Sequence, residues 1–327
     1  MKHILLLISL FFTALFPIIL FAQTAPLNGS LTLSPEFPLP LQNVTITLES
    51  YSFDPTRAFI TWTVNGKKVL SGNGETRLTI SSGAAGEQKN IAVSARASDG
   101  GTYNDQLVLS PASIGLLWEA TNSYAPPFYK GKTLPSEGAA IQFVAIPSFY
   151  SGGKRVPPSA VTYNWTFNDN LARESSGLGK QTYSTQLNYL ENENAVKVQA
   201  TSLDGGSQAE ARDTLVPNQI VPRIYSTNSL HGTDYTHVLT GRIEINKEIS
   251  LVVEPYFISP ASLASPDLSW SWLLNGIPTS PQGVNTITIV PKENAQGAGT
   301  LDVSIENTKK YLQKIETSLS IVFNTLQ

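Results

Sequence analysis

The chain contains no cysteine, and this absence removes several kinds of chemistry at once. Without thiols the protein forms no disulfide, offers no thiolate nucleophile and supplies no thiolate ligand to a metal. Each domain must therefore be stabilised by its hydrophobic core alone, which a sandwich of about 100 residues can provide.

Charged residues are also scarce. They make up 14% of the 327 residues, with a formal net charge of −3, whereas an average soluble protein has about 25%. Binding to a nucleic acid backbone needs clustered lysine and arginine, and so does electrostatic attachment to a membrane surface. The composition therefore argues against nucleic acid and against a charged membrane patch as partners.

Catalytic sequence signatures are missing as well. The chain has no nucleophile elbow, no H-E-x-x-H pair, no phosphate-binding loop and no glycine-rich dinucleotide fingerprint. A glycosidase needs two positioned carboxylates, and no spacing in this sequence pairs them. We therefore expect that the protein is not an enzyme and that it requires no cofactor.

A hydrophobic run, residues 4–21, follows Lys2 and His3 at the N-terminus. With Ala22 behind it, this run matches a secretory signal, and the mature chain would then start at Gln23. The run has about 18 residues, close to the roughly 20 that span a bilayer, so a retained membrane anchor is the alternative. Both alternatives predict export, to the cell surface, the extracellular space or the periplasm.

One short pattern occurs three times, at residues 60–66, 163–169 and 270–276. Apolar residues alternate with others there, as in a half-buried strand, and an asparagine stands three residues after a tryptophan. The tryptophans are Trp62, Trp165 and Trp272, and the turn residues are Asn65, Gly66, Asn168, Asp169, Asn275 and Gly276. Such pairs accept the positive φ of a type I′ hairpin. The alternation favours core tryptophans over platforms for sugars.

A second alternating strand follows each tryptophan at nearly the same separation. Its apolar residues are Ile91, Val93 and Ala95, then Val196, Val198 and Ala200, then Leu301, Val303 and Ile305. Two landmarks that keep their separation indicate an internal repeat, because chance would have to preserve both spacing and residue type.

The repeat predicts an all-β chain of three tandem Ig-like antiparallel β-sandwiches. We place them at 34–111, 112–217 and 218–327, after a signal peptide at 1–22 and a flexible leader at 23–33. The two joins are short and contain proline, which limits bending. The sequence therefore predicts a semi-rigid rod.

The second copy resembles a known family. Its segment 163–170 is similar to the Y-x-W-x-F-G-D-G signature of PKD domains, although Asn168 replaces the first glycine of that signature. The strand 196–200, followed by Asp204 and Gly205, resembles the closing strand of those domains. The first and third copies keep the asparagine but lack the aspartate. The resemblance implies an Ig-like sandwich in an exported or cell-surface protein with a non-catalytic role. The arrangement of three such modules also resembles exported surface proteins of bacteria, some of which are associated with pilus systems.

The loop 123–132 has the most unusual composition in the chain. Rigid aromatic residues next to donors are typical of carbohydrate or peptide sites. The binding candidates in this loop are Tyr124, Phe128, Tyr129, Lys130 and Lys132. The alternative is structural, with the aromatic residues closing the base of the second sandwich or packing at its junction with the first.

Metal sites are weakly indicated. His231, Asp234 and His237 lie close together in the sequence, but their spacing does not define a tetrahedral site. Oxygen-rich stretches at 168–170 and 191–194 match no calcium loop and are also ordinary turn composition. We therefore expect no metal.

These observations predict a non-catalytic exported protein that acts as a cell-surface or envelope spacer, adhesin or assembly component. The partner would be a protein or a glycan of the cell envelope. Two alternatives remain: a carbohydrate-binding surface module that uses the loop 124–132, and a membrane-anchored scaffold held by residues 4–21.

Overall fold

The computed structural model describes residues 27–279, 281–310 and 312–324. Within these residues every regular element is a β-strand, apart from three single turns of 3₁₀-helix at Pro55–Arg57, Pro158–Ala160 and Arg173–Ser175. The prediction of an all-β chain without a long helix is confirmed. No helix with the length and hydrophobicity of a membrane span occurs in the part of the chain that the structure describes.

The first sandwich contains seven strands. Strands β1 to β7 are Ser30–Ser34, Asn43–Glu49, Phe59–Val64, Lys67–Asn73, Arg77–Ser81, Lys89–Arg96 and Thr102–Leu109. One sheet has the order β1-β2-β5 and the other has the order β4-β3-β6-β7. The strand that carries Trp62, β3, is thus a central strand of the second sheet.

The second sandwich adds ten strands. Strands β8 to β17 are Ser113–Ala120, Ala140–Ser148, Tyr150–Ser151, Lys154–Arg155, Val161–Phe167, Asn170–Leu171, Gly177–Leu178, Thr182–Gln186, Asn194–Ser202 and Gln208–Leu215. One sheet has the order β15-β9-β8, and the other β13-β12-β16-β17, with β14 also paired to β12. Strands β10 and β11 form a separate small hairpin.

The third sandwich completes the chain. Strands β18 to β26 are Val221–Asn228, Gly232–Thr233, Arg242–Ile245, Ile249–Tyr256, Leu268–Leu274, Ile277–Pro278, Thr286–Ile289, Gln296–Asn307 and Lys314–Asn324. The two sheets have the orders β19-β18-β21-β24 and β20-β26-β25-β22-β23. Strand β20 runs parallel to β26, whereas the other pairs are antiparallel.

All three sandwiches share one strand plan. If the seven main strands are lettered in chain order, one sheet contains A, B and E, and the other contains C′, C, F and G. This crossing of the chain between two antiparallel sheets is that of an Ig-like sandwich. The chain is therefore built from tandem Ig-like β-sandwiches.

The alternating residues identified in the sequence form the cores. Trp62, Trp165 and Trp272 are fully buried, as predicted. Trp270 is buried in the same core as Trp272, because residues two apart on a strand point to the same face. In the second core Trp165 packs against Phe143 and Tyr183, with ring centroids 6.4 and 5.7 Å apart. These tryptophans are structural residues.

The repeated asparagine forms the same contact three times, which we call the turn clamp. Asn65, Asn168 and Asn275 have φ values of 50, 46 and 52°, as type I′ turns require. The backbone N–H of each donates to a carbonyl of strand F, and its Oδ1 accepts from the N–H of that same residue. The strand F residues are Asn90, Ala195 and Thr300, with N···O distances of 2.7 to 2.9 Å.

The three repeat tryptophans, Trp62, Trp165 and Trp272, each donate one indole hydrogen bond, whereas the buried Nε1 of Trp270 has no partner within the described residues. The indole N–H donates to the carbonyl of Glu75, Lys180 or Val284, at 2.7, 2.9 and 2.8 Å. A buried indole needs such a partner, since an unpaired donor in a core costs free energy. In each sandwich the accepting carbonyl belongs to a residue shortly before strand E, whereas the tryptophan lies on strand C. The hydrogen bond therefore links the two sheets.

The leader predicted at 23–33 was partly wrong. Residues 30–33 lie in β1, where Leu31 and Leu33 alternate with exposed residues, so the first sheet begins before position 34. The segment was too short and too polar to be distinguished from a leader by composition. The predicted signal peptide, 1–22, and residues 23–26 lie outside the described residues.

The described residues form two compact units. The first contains 27–33, 45–78 and 90–107. The second contains 34–44, 79–89 and everything described from 108 onwards, so it includes the whole of the second and third sandwiches. Contacts between those two sandwiches are therefore internal to one unit.

Candidate functional site

The loop between β8 and β9, residues 121–139, lies against the third sandwich. The N–H of Tyr124 donates to the carbonyl of Ile258, and the N–H of Phe257 donates to the carbonyl of Tyr124, both at 2.7 Å. These two bonds join the backbone of Tyr124 to two consecutive residues of the third sandwich. The loop is thus held to the third sandwich, whereas the structural alternative had placed its aromatic residues at the base of the second sandwich or at its junction with the first.

A second long connection covers the same surface. It joins β18 to β21, contains β19 and β20, and includes Tyr235. Beneath it lies the outer face of the sheet, where Tyr225 is buried although it points away from the core occupied by Ile224. An outer sheet face would otherwise be exposed to water, so these two connections act as its cover.

Seven aromatic residues meet at this place, and we call them the aromatic cluster. They are Tyr124, Phe128, Tyr129, Tyr225, Tyr235, Tyr256 and Phe257. Most neighbouring rings are arranged edge to face, with centroids 5.3 to 6.4 Å apart. Such pairs contribute about 0.5–1.5 kcal/mol each beyond the area that they bury.

The aromatic cluster encloses one carboxylate, that of Glu254. Its residue is only 4% exposed. The hydroxyl of Tyr124 donates to Oε2 and that of Tyr235 donates to Oε1, the latter at 3.0 Å. Burial raises the pKa of Glu254 above its ordinary value of 4.5, and the two phenol donors only partly offset this. The same burial, together with the carboxylate, raises the pKa of Tyr235 to about 12.

A separate polar contact closes the other side of the junction around Gln313, which is 1% exposed. Its Nε2 donates to Ser136 Oγ at 3.0 Å and to the Glu137 carbonyl at 2.7 Å, both in the loop 121–139. Its Oε1 accepts from the N–H and hydroxyl of Ser259, at 3.2 and 2.9 Å. One side chain therefore joins two segments of the third sandwich to the second.

The five binding candidates of the loop have different environments. Tyr124 is half-buried, and Tyr129 packs edge to face on Tyr256 and Phe257. Lys132 Nζ lies 3.1 Å from the ring centroid of Trp118, whose indole donates to Asp213. Lys130 is exposed. Tyr124 and Tyr129 therefore belong to the junction, whereas Lys132 packs on the second sandwich.

Phe128 is the exception. It is 87% exposed and has φ 65°, which is unusual for a residue with a large side chain. Its ring meets Tyr235 edge to face at 6.4 Å. The two features singled out separately in the sequence, the aromatic loop and the histidine segment, therefore meet at Phe128 and Tyr235.

The histidine segment forms a local turn. His237 Nδ1 lies 3.0 Å from Asp234 Oδ2, and the Thr236 hydroxyl and N–H also donate to Asp234. These bonds, first of all the hydroxyl of Thr236, lower the pKa of Asp234 to about 2. His231 is not part of this set. Among the described residues there is no group of three or more histidine, aspartate or glutamate side chains arranged to hold a metal.

The oxygen-rich stretches of the second sandwich bond to each other. The carboxylate of Glu191 accepts from the amides of Asn168 and Asn188, and Asn194 Oδ1 accepts from the N–H of Asn188 at 2.8 Å. Since Asn168 belongs to the turn clamp, its amide is fixed in this orientation. The stretch supports the end of the sandwich.

Sequence reasoning missed the two most connected polar residues, Glu254 and Gln313. An acidic residue in the alternating strand 249–256 was one available signal, because the residues around it are apolar or aromatic. For Gln313 no local pattern marks the residue, since its partners at positions 136, 137 and 259 are distant in the chain.

Comparisons with known proteins give only distant similarities. No protein-family model and no curated protein matches the chain. The three N-terminal domains of the bacteriophage RB49 outer capsid protein Hoc are 12% identical, covering 92% of this chain and 99% of that one, with a TM-score of 0.27. The central fibronectin-III array of RIM-binding protein is 13% identical, covering 91% and 97%, with a TM-score of 0.28. The fold assignment rests on the strand order described above.

Proposed function

We propose that this chain is a non-catalytic exported interaction protein of the bacterial cell surface or envelope, in which Ig-like sandwiches of PKD type serve as spacers that position an adhesive or assembly surface. The observation that carries the proposal is the junction between the second and third sandwiches. Backbone bonds, the aromatic cluster and Gln313 all join the two domains there. A protein that displays a surface at a distance needs such a join.

Export is tested on the full chain expressed in a bacterial host. We expect the protein outside the cytoplasmic membrane, with Gln23 as its first residue by mass spectrometry, because residues 4–21 have the features of a cleaved signal. Recovery in the membrane fraction with Met1 intact would support the anchored scaffold. Recovery in the cytoplasm would contradict the proposal, and cross-linking of surface-exposed protein on intact cells would identify the partner.

A second candidate function is carbohydrate binding, and the position of Phe128 favours it. The exposed ring meets Tyr235 edge to face; in the chain Tyr235 follows Asp234, and the exposed Lys130 stands two residues after Phe128. Sugars bind proteins through an apolar ring face and surrounding hydroxyls, and an aromatic ring flanked by polar groups suits both.

Replacing Phe128 by alanine is expected to weaken binding to a recognised glycan about tenfold, which corresponds to about 1.4 kcal/mol. Binding is measured on a glycan array and then by titration calorimetry. Leu190→Ala is the matched control, because Leu190 is also 87% exposed and is not a residue of the aromatic cluster. An array without any bound glycan, or equal affinities for both variants, would exclude this function.

A further inference from the structure

We propose that Glu254 is a proton-dependent latch, which holds the second and third sandwiches together when its carboxyl group is protonated and allows the loop 121–139 to lift when it is charged. The proposal rests on the position of this one side chain. It is buried between two domains, under a loop of one and on a strand of the other, and both its oxygens contact hydroxyls of covering segments.

The carboxylate of Glu254 is not paired with a cation in the closed junction that the structure describes. In the described part of the chain no lysine, arginine or histidine forms an ion pair with Glu254. Two phenol donors are weaker compensation than a cation, and a buried charge without a partner is strongly disfavoured. The closed junction therefore favours the neutral carboxyl group.

The ionisable groups that face Glu254 come from four segments. They are Tyr124 of the covering loop, Tyr235 of the connection 229–241, Tyr225 and Arg223 of β18, and Tyr256 of its own strand. Burial, together with the Glu254 carboxylate, raises the pKa of Tyr124, Tyr235 and Tyr256 above the ordinary value of 10.0, so these phenols stay neutral over the physiological range. Only Glu254 can change its charge there.

Arg223 gives the charged carboxylate an alternative partner. The two residues are directly opposite each other in the β18–β21 pair, so their side chains share one face of the sheet. Arg223 is exposed. If the loop carrying Tyr124 lifts, water and this guanidinium can both reach Glu254. The open state thus stabilises the charge that the closed state disfavours.

The direction of the pH effect follows from this difference. The closed state holds its proton more tightly than the open state, so protonation favours closure. Below the ordinary glutamate pKa of 4.5 both states are protonated and the balance does not change. As the pH rises towards the raised pKa of the closed state, the opening constant increases by up to tenfold per pH unit. Beyond that pKa it is constant again.

Ser123 provides a reporter of this opening. Its residue is buried beside Tyr124, and its Oγ has no hydrogen-bond partner within the described structure, so Ser123→Cys should cost little. Since the chain has no other cysteine, the labelling rate of the introduced thiol measures lifting of the loop. The rate is measured from pH 4.5 to about pH 8, with Glu254 intact and with Glu254→Gln, which imitates the protonated form.

We expect the ratio of the two labelling rates to rise with pH, by up to tenfold per unit, and then to level off. Tyr235→Phe removes one hydrogen-bond donor from the carboxylate. In this variant the ratio of labelling rates should therefore keep rising to a higher pH. Glu248→Gln, at an exposed position, should behave like the parent. A ratio that stays constant over the whole range, or a thiol that is not labelled at any pH, would overturn the latch.

Discussion

Replacing Trp165 by alanine is expected to lower the free energy of unfolding of the second sandwich by about 3–5 kcal/mol. Domains of this kind are stable by only about 5–15 kcal/mol in total, so much of the population should unfold at physiological temperature. The indole fills the centre of the core against Phe143 and Tyr183, and its N–H is the donor to the carbonyl of Lys180. Its loss leaves a cavity and an unpaired carbonyl together.

Hydrogen exchange measured by mass spectrometry resolves this effect, because it reports each sandwich separately in a chain where unfolding is not a single step. Exchange should accelerate in β12 and β16 and remain unchanged in β22 and β25. Trp165→Phe keeps an aromatic ring but not the N–H donor, so the second sandwich should lose less protection from exchange than in Trp165→Ala. The exposed Leu171 is the control, with an expected change within about 0.5 kcal/mol for Leu171→Ala. Equal protection in Trp165→Ala and the parent would contradict a core role.

Replacing Gln313 by alanine is expected to destabilise the junction by at least about 2 kcal/mol. The side chain is buried and its amide bonds to Ser136, Glu137 and Ser259, so its removal leaves donors and acceptors on both sides without partners. A buried polar group without a partner costs about 1–3 kcal/mol, and water entering the space would recover only part of this.

The same exchange experiment measures the consequence. Peptides that cover Ser136 and Glu137, and those of the turn before β26, should exchange faster, while the core of the second sandwich stays protected. Gln296→Ala provides the comparison, since Gln296 is an exposed glutamine on the neighbouring β25. If the two variants exchange alike at the loop 121–139, the Gln313 contact does not hold the junction.

The sandwiches could be predicted from the sequence because their signals are local. A strand with one buried face must alternate, and a type I′ turn must contain residues that tolerate positive φ. The alternation is seen around the three tryptophans, Trp62, Trp165 and Trp272. The tolerance of positive φ is seen in turn pairs such as Asn65 and Gly66. Both requirements act over a few residues, so they are visible without knowledge of the rest of the chain.

The junction could not be predicted in the same way, because its contacts join distant residues. Tyr124 and Glu254 are 130 positions apart, and Gln313 and Ser136 are 177 apart. The composition of the loop 123–132 indicated that its aromatic residues would pack against other residues, but not that those residues would belong to the third sandwich. Nothing local distinguishes a tyrosine that will cover a carboxylate from one that will face water.

The turn clamp has a consequence for how such chains diverge. The asparagine contacts only the backbone N–H and C=O of its partner, and the partner is Asn90 in one copy, Ala195 in another and Thr300 in the third. Selection can therefore preserve the contact while the partner position drifts to any residue that fits the strand. The repeated modules can then diverge at almost every position around the one retained asparagine. A relationship between them would in that case be detected more easily from the shared hydrogen bonds than from sequence identity.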